Sequence, residues 1–173
     1  MDDAASYLLG RLLRGRNVAA LATLHDGLPS ASMVPYAIWR DAAAGRLLFV
    51  THVSRLSAHT RDMLRSPQVC LLITAAETDA DGATVPPQAL PRVSIPAVAA
   101  FVDHGDPAHE TLARAYLDAF PFAADWFQLG DFSIVALAPS GSARFVAGFA
   151  RALTVAPAQL LAAIDAVPPA APR

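Results

Sequence analysis

The sequence predicts a mainly β domain with inserted helices (α+β), a small antiparallel barrel with helices on its rim. Three observations lead there. Short apolar runs of strand length are bounded by turn signals such as His25-Asp26-Gly27 and Pro139-Ser140-Gly141. Segments of helical period lie between them. The 173 residues, 54% hydrophobic and 16% charged, suffice for one core and not comfortably for two. The expected organisation is one domain over residues 1–167 and a frayed tail over 168–173.

Each element has its own reason. Residues 4–15 carry Tyr7, Leu8, Leu9, Leu12 and Leu13 at helical spacing, with Arg11, Arg14 and Arg16 near the end where cations suit the dipole. Val18 to Leu24 is a strand, Asp26-Gly27 a hairpin turn, and Ser30 to Ile38 the return strand. Asp41 to Gly45 turns the chain into a third strand, Arg46 to Thr51, so the first fifty residues read as a meander. Ser54 is a good N-cap for a helix with Leu56, His59, Thr60, Met63 and Leu64 on one side, stopping before Pro67. Val69 to Thr74 is a strand, and the polar, Pro-rich stretch 76–91 a mobile loop. Val93 to Val102 is a strand in which Pro96 implies an edge, a bulge or a break. Helices follow from Asp106 to Ala119 and from Pro121 to Phe127. A last hairpin joins Phe132–Leu137 to Ala143–Phe149, and a C-terminal helix spans Pro157 to Ala166.

Composition excludes several classes. A core this apolar is not that of a disordered chain, and no window reaches the roughly 18 apolar residues of a membrane-spanning helix. The acidic opening Met1-Asp2-Asp3 is unlike a secretory signal, and the lone Cys70 forms no internal disulfide, so a cytoplasmic protein is expected. A net charge of -2 gives no general drive toward nucleic acid or anionic membrane, and neither is expected as a partner. Residues 1–65 carry eight Arg against five acids, and residues 66–173 five Arg against ten. All thirteen basic residues are Arg, so Schiff-base chemistry on Lys and a Lys-dependent phosphate loop are both impossible.

The stretch Ala22-Thr-Leu-His-Asp-Gly-Leu-Pro-Ser-Ala-Ser-Met-Val-Pro-Tyr36 resembles the opening hairpin of the pyridoxamine 5'-phosphate oxidase-like flavoproteins, the FMN-binding split barrels. Phe49-Val-Thr-His-Val-Ser-Arg-Leu-Ser-Ala-His-Thr-Arg-Asp-Met63 is similar to the haem-utilisation branch of that family. Pro121 to Trp126, Asp131-Phe132 and Arg144 to Ala152 match that branch's C-terminal half, so the likeness runs in order over residues 11–152. It implies an antiparallel split barrel, a homodimer with FMN at its interface, and redox chemistry on an unnamed small molecule. Two departures stand out. The basic residues that flank the second strand in the oxidases fall at Ser32 and Ala37, and the Ser-Arg-Lys turn has become Ser54-Arg55-Leu56. A haem-binding or haem-degrading protein and a non-enzymatic flavin carrier are the alternatives on the same fold.

The same residues have their own chemistry. A phosphate needs backbone N–H groups, hydroxyls and a cation, which a helix start supplies in part. Ser54, Ser57, Thr60 and Arg61 are the candidates there, with Ser57, Thr60 and Arg61 on one face; an ordinary surface helix is the other reading. Ser32, Val34 and Tyr36 point to one side of the second strand and Met33 and Pro35 to the other. The resemblance lays this strand, Met33 included, along the flavin, whereas Val34 and Tyr36 also suit a barrel core. Thr51 offers a hydroxyl beside the helix start, or serves only β-propensity. His59 reads as a hydrogen-bonding residue rather than a haem ligand, and Cys70 as a small buried hydrophobe. His104 and His109 straddle a helix start. Phe120, Phe122, Trp126 and Phe127 form an aromatic cluster, from which one ring, or Arg144, is placed to reach the partner's flavin. No side chain stands out as a catalytic acid or base, and no Cys/His cluster marks a metal site.

Overall fold

A computed structural model describes residues 1–78, 82–149 and 151–168. Helix α1 (Asp3–Gly15) begins where the Asp2 carboxylate accepts the Ala5 N–H. Strands β1 (Val18–His25) and β2 (Leu28–Pro35) form the expected hairpin. Asp26 and Gly27 at its tip both take positive φ, 49° and 83°, which is why Asp-Gly closes it. Strands β3 (Ala37–Asp41) and β4 (Arg46–Ser54) pair next, then come α2 (Ala58–Arg65), β5 (Gln68–Thr74) and β6 (Arg92–Val102). Helix α3 (His109–Ala119), a 3-10 helix (Pro121–Gln128), β7 (Phe132–Pro139), β8 (Ala143–Val146), β9 (Ala152–Val155) and α4 (Pro157–Asp165) complete the fold.

All strands join one antiparallel sheet in the order β2-β1-β5-β6-β7-β4-β3, with β8 beside β6 and β9 beside β8. The sheet curls but does not close: β2 and β4 approach each other without pairing. This is a split barrel. Its inner face packs Leu21, Val34, Phe49, Leu71, Ile95, Leu137 and Phe145 against Leu9 and Leu13 of α1 and Leu160 and Ile164 of α4. A second core lies outside the barrel, where Leu112, Tyr116 and Phe120 cover Ala37, Val50, Ile134 and Ala136. Among the described residues nothing similarly covers the outer face of β2, β1, β5 and β6, and Met33 is 67% exposed. Among the described residues no helix is long and apolar enough to cross a membrane.

Several expectations are corrected. The strand read as Ser30–Ile38 is two strands, because the buried Tyr36 pins the chain between them. Its N–H donates to the Asn17 carbonyl, its hydroxyl to the Leu13 carbonyl at 2.9 Å, and its ring packs edge-on against Phe49. The meander therefore ends at β2, and β3 lies at the opposite end of the sheet order. The helix expected at Ser54 starts one turn later, with Ser57 in the cap position, because β4 keeps pairing with β7 as far as Ser54. Leu56 consequently precedes the helix and is exposed, as is Leu64. Strands β7 and β8 do not pair as a hairpin; both pair with β6, and β8 takes β9 as its other neighbour. Pro96 stands where β6 passes from β8 to β7, accepting the Ser140 N–H, so its missing donor falls at a gap in the ladder. In the stretch 76–91, Thr78 bridges Thr84 and Pro87–Ala89 is a 3-10 turn; residues 79–81 lie outside the described residues, as does the tail beyond Pro168.

Helices α1 and α4 close the inner core by direct backbone approach. A Cβ on Gly10 would collide with the Ala163 carbonyl oxygen and crowd Val167. Gly10→Ala is therefore expected to destabilise the fold by about 2 kcal/mol, the usual scale of overpacking. Urea unfolding should show this as a lower midpoint with an unchanged slope.

Candidate functional site

Strand alternation divides the predicted β2 residues. Val34 and Tyr36 are core, 1% and 2% exposed, while Met33 faces outward. Met33 borders a groove of about 380 Å³ on the open outer face, floored by Ala19, Ala20, Ala31 and Leu72 and flanked by Arg16, Ser32 and Thr74. Its volume falls in the range of small-molecule sites. The buried Nε of Arg16 beside it has no hydrogen-bond partner among the described residues. Buried polar atoms are nearly always paired, so this donor marks a place for an external acceptor. Ser32 lies at the groove's rim, but its hydroxyl, likewise unpaired among the described residues, points with Val34 to the barrel's inner side. From sequence, Arg16 has only a place near the end of the first helix; it is the C-cap of α1, and the hairpin that pairs Val18 with Pro35 sets it beside β2.

The residues expected around the α2 start gather at the β4–α2 corner, but most are turned to their own backbone. The Thr60 hydroxyl, fully buried, donates to the Ser54 carbonyl at 2.7 Å. Ser54 Oγ donates to Asp131 at 2.7 Å and accepts the Leu56 N–H. Arg61 is exposed and donates to the Leu56 carbonyl at 2.9 Å. Ser57 makes no side-chain cap, leaving the first turn of α2 open to an outside acceptor. His59 is half-buried, and burial pushes its pKa down. Thr51 is fully buried on the barrel's inner face, and its Oγ1 also has no partner among the described residues. Arg144 lies apart on β8, exposed, between Ser94 and Thr154. Of the aromatic cluster, Phe120 is core and Phe127 partly buried, while Phe122 and Trp126 are exposed.

Two further polar features were not singled out by the sequence. The Asp62 carboxylate, 1% exposed on α2, accepts the Thr23 hydroxyl at 2.9 Å and meets His25 Nδ1 at 2.7 Å. The His25 hydrogen bond, and to a lesser degree that of Thr23, holds the Asp62 pKa below its ordinary value. The second is His52, which lies just beyond the strand read as Arg46 to Thr51 and was assigned no role there. Its ring stacks on Phe127 at 4.0 Å and faces Phe132 and Tyr116. Burial drives its pKa down to about 4, with His109 adding to the effect, and its Nδ1 has no partner among the described residues. It lines a small cavity with Arg55, His104 and His109. Among the described residues no three His, Cys, Asp or Glu side chains gather as a metal ion would need.

The family model of pyridoxamine 5'-phosphate oxidase matches residues 9–143. The chain belongs to that family. It is 32% identical over 144 residues to the unconventional haem oxygenase HOZ of the Arabidopsis thaliana chloroplast, covering 82% of this chain and 40% of that protein. The chain thus spans less than half of that relative's length. A haem-binding protein of Mycobacterium smegmatis superposes with a TM-score of 0.72 at 26% identity, over 94% of this chain and 62% of the other. HutZ, a haem storage protein of Vibrio cholerae, shares the fold with a TM-score of 0.62 at 23% identity, over 74% of this chain and 84% of that one. The family holds flavin and haem proteins, and this sheet is the antiparallel split barrel they share.

Both polar features titrate in defined windows. Because the folded His52 pKa is about 4 and the ordinary value 6.5, the unfolded chain binds the extra proton between these pH values. Stability from the neutral ring is complete above pH 6.5 and is lost as pH falls toward 4. His52→Phe should remove that pH slope and raise stability at pH 5 by about 1 kcal/mol, since it deletes a buried unpaired nitrogen. Asp62 has the carboxylate sign: its contribution is present above its ordinary pKa of 3.8 and is lost as pH falls below it. The midpoint difference between wild type and Asp62→Asn should be largest above pH 5 and shrink toward pH 3, which denaturant titrations across pH will test.

Proposed function

We propose that this protein binds a planar, anionic cofactor in the groove beside Arg16 and Ser32, and that the cofactor is haem. The carrying observation is the pairing of an apolar floor with a buried, unpartnered guanidinium nitrogen. A tetrapyrrole offers a flat apolar ring for Ala20, Met33 and Leu72 and carboxylates for Arg16. The naming of HOZ and of the Mycobacterium smegmatis protein supports haem over other planar groups. The open outer face around Met33, Leu72 and Val98 suits a second copy of the chain, which would complete the groove as a homodimer.

FMN is the second reading, favoured by the unpaired Thr51 hydroxyl and the uncapped first turn of α2. When bound, flavin supplies two-electron redox chemistry; Ser57 and Arg61 are the residues here for its phosphate, with Thr60 behind them. Arg61 would first release the Leu56 carbonyl.

Separate titrations with ferric haemin and FMN, read by absorbance and flavin fluorescence, decide between the two. The expected result is a saturable Soret shift, weakened at least tenfold in Arg16→Ala, as loss of a charge-assisted hydrogen bond of roughly 1.5–3 kcal/mol implies. FMN quenching that weakens tenfold in Arg61→Ala but not in Arg16→Ala would favour flavin instead. Saturation by neither ligand would overturn both. Light scattering at micromolar concentration should give about twice the chain mass.

A further inference from the structure

A second groove, of about 450 Å³, opens between α3 and the strands beneath it, on the half of the sheet away from Arg16. Its size is that of small-molecule sites. The sequence explains its depth. Where α3 meets Val50 and Ile134, branched side chains fill the outer core. Beside them, Ala100 and Ala136 pair across β6 and β7, and Ala138 follows Ala136 on the same face by strand alternation. Three methyl groups leave a gap beneath the first turn of α3. Leu48 and Leu112 line the gap, and the partly buried Trp39 of β3 walls one side.

The groove is apolar in its depth and charged at its mouth. The Arg46 guanidinium carbon lies 5.3 Å from the centre of the Trp39 ring, a cation–π distance that holds the charge against the wall. Among the described residues Arg46 forms no ion pair. The other rim carries Asp106, whose Oδ1 accepts the Ala108 N–H at 2.7 Å. A guanidinium fixed on an aromatic wall above an apolar floor matches a carboxylate carried on a flat apolar body. The carboxylate of Asp106 opposes a second negative charge at the far end.

We propose that this groove is a separate ligand site for a flat aromatic monocarboxylate. The ring system lies on Ala136 and Ala138 between Trp39 and Leu112, the carboxylate meets Arg46, and the uncharged end points toward Asp106. The site shares no lining residue with the groove at Arg16 and does not rest on the haem reading.

The test titrates the full chain by calorimetry with three probes: naphthoate, the neutral naphthylmethanol, and naphthalene dicarboxylate. Naphthoate should saturate at one molecule per chain and quench Trp39 fluorescence in a Trp126→Phe background. Arg46→Ala should weaken naphthoate roughly fivefold, the upper range for an exposed ion pair, and leave naphthylmethanol unchanged. The dicarboxylate should bind more weakly than naphthoate, and Asp106→Asn, which keeps an acceptor for the Ala108 N–H, should narrow that gap. Ala138→Leu fills the floor and should weaken all three probes at least tenfold. Should a lowered urea midpoint show that Ala138→Leu disturbs the fold, the exposed Arg46 decides alone. Wild type that naphthoate does not saturate would overturn the proposal. So would equal naphthoate affinity in wild type and Arg46→Ala, or affinity that falls in Arg16→Ala instead, which would assign the probe to the other groove.

Discussion

Tyr36 is the constraint on which the architecture depends. Its buried hydroxyl reaches the end of α1, its backbone is tied to Asn17, and its ring packs on Phe49 of β4. Burial drives the phenol pKa upward, so this contact stays protonated and intact across the physiological range. By fastening one residue in three directions, the fold forces the chain to stop pairing with β1 and start pairing with β4 in a single step. Two consecutive strands are thereby sent to opposite ends of one sheet. The barrel is split because of that step, and the split leaves the inward hydroxyls of Ser32 and Thr51 on strands that approach without hydrogen bonding.

The two cores follow from the same curl. Inside, aliphatic side chains from every long strand meet α1 and α4. Outside, α3 and the 3-10 helix cover only the β3–β4–β7 half, and the remaining half stays apolar and open. That asymmetry places the groove at Arg16 on the uncovered half and the His52 cavity at the margin of the covered half. An apolar sheet face with a cationic border is a surface suited to a flat anionic ligand, and the haem reading rests on this more than on any single residue.

The fold class was legible because strand-length apolar runs, Asp-Gly and the helical periods of α1 and α4 are local signals. What the sequence concealed was non-local. Nothing within residues 30–38 announces that Tyr36 will be captured by α1, so one strand was read where two exist. The start of α2 was misplaced by a turn because Ser54 is a credible N-cap in isolation; its pairing with Phe132 of β7 is what keeps it in a strand. Strand β9 went unseen because four residues carry too little pattern. At the site, Ser32 shares the inward side of β2 with Val34, as strand alternation predicts, and its buried hydroxyl has no partner among the described residues. Arg16 and the Asp62–His25 pair were missed, since each depends on residues brought together across the fold.

An unclosed sheet has raw borders, and here the two at the ends of its main path are short of places to add a strand. β2 carries Pro29 near one end and Pro35 at the other, each lacking the N–H that an incoming chain would need. β3 is only five residues long, and its Arg40 is tied to Asp165 of α4. Intermolecular β-pairing is thus discouraged at the margins, while the broad apolar surface of β2, β1, β5 and β6 is left unguarded. In the homodimer proposed above, association would stack sheet upon sheet, which ends with two copies, rather than grow edge-on, which has no natural stopping point.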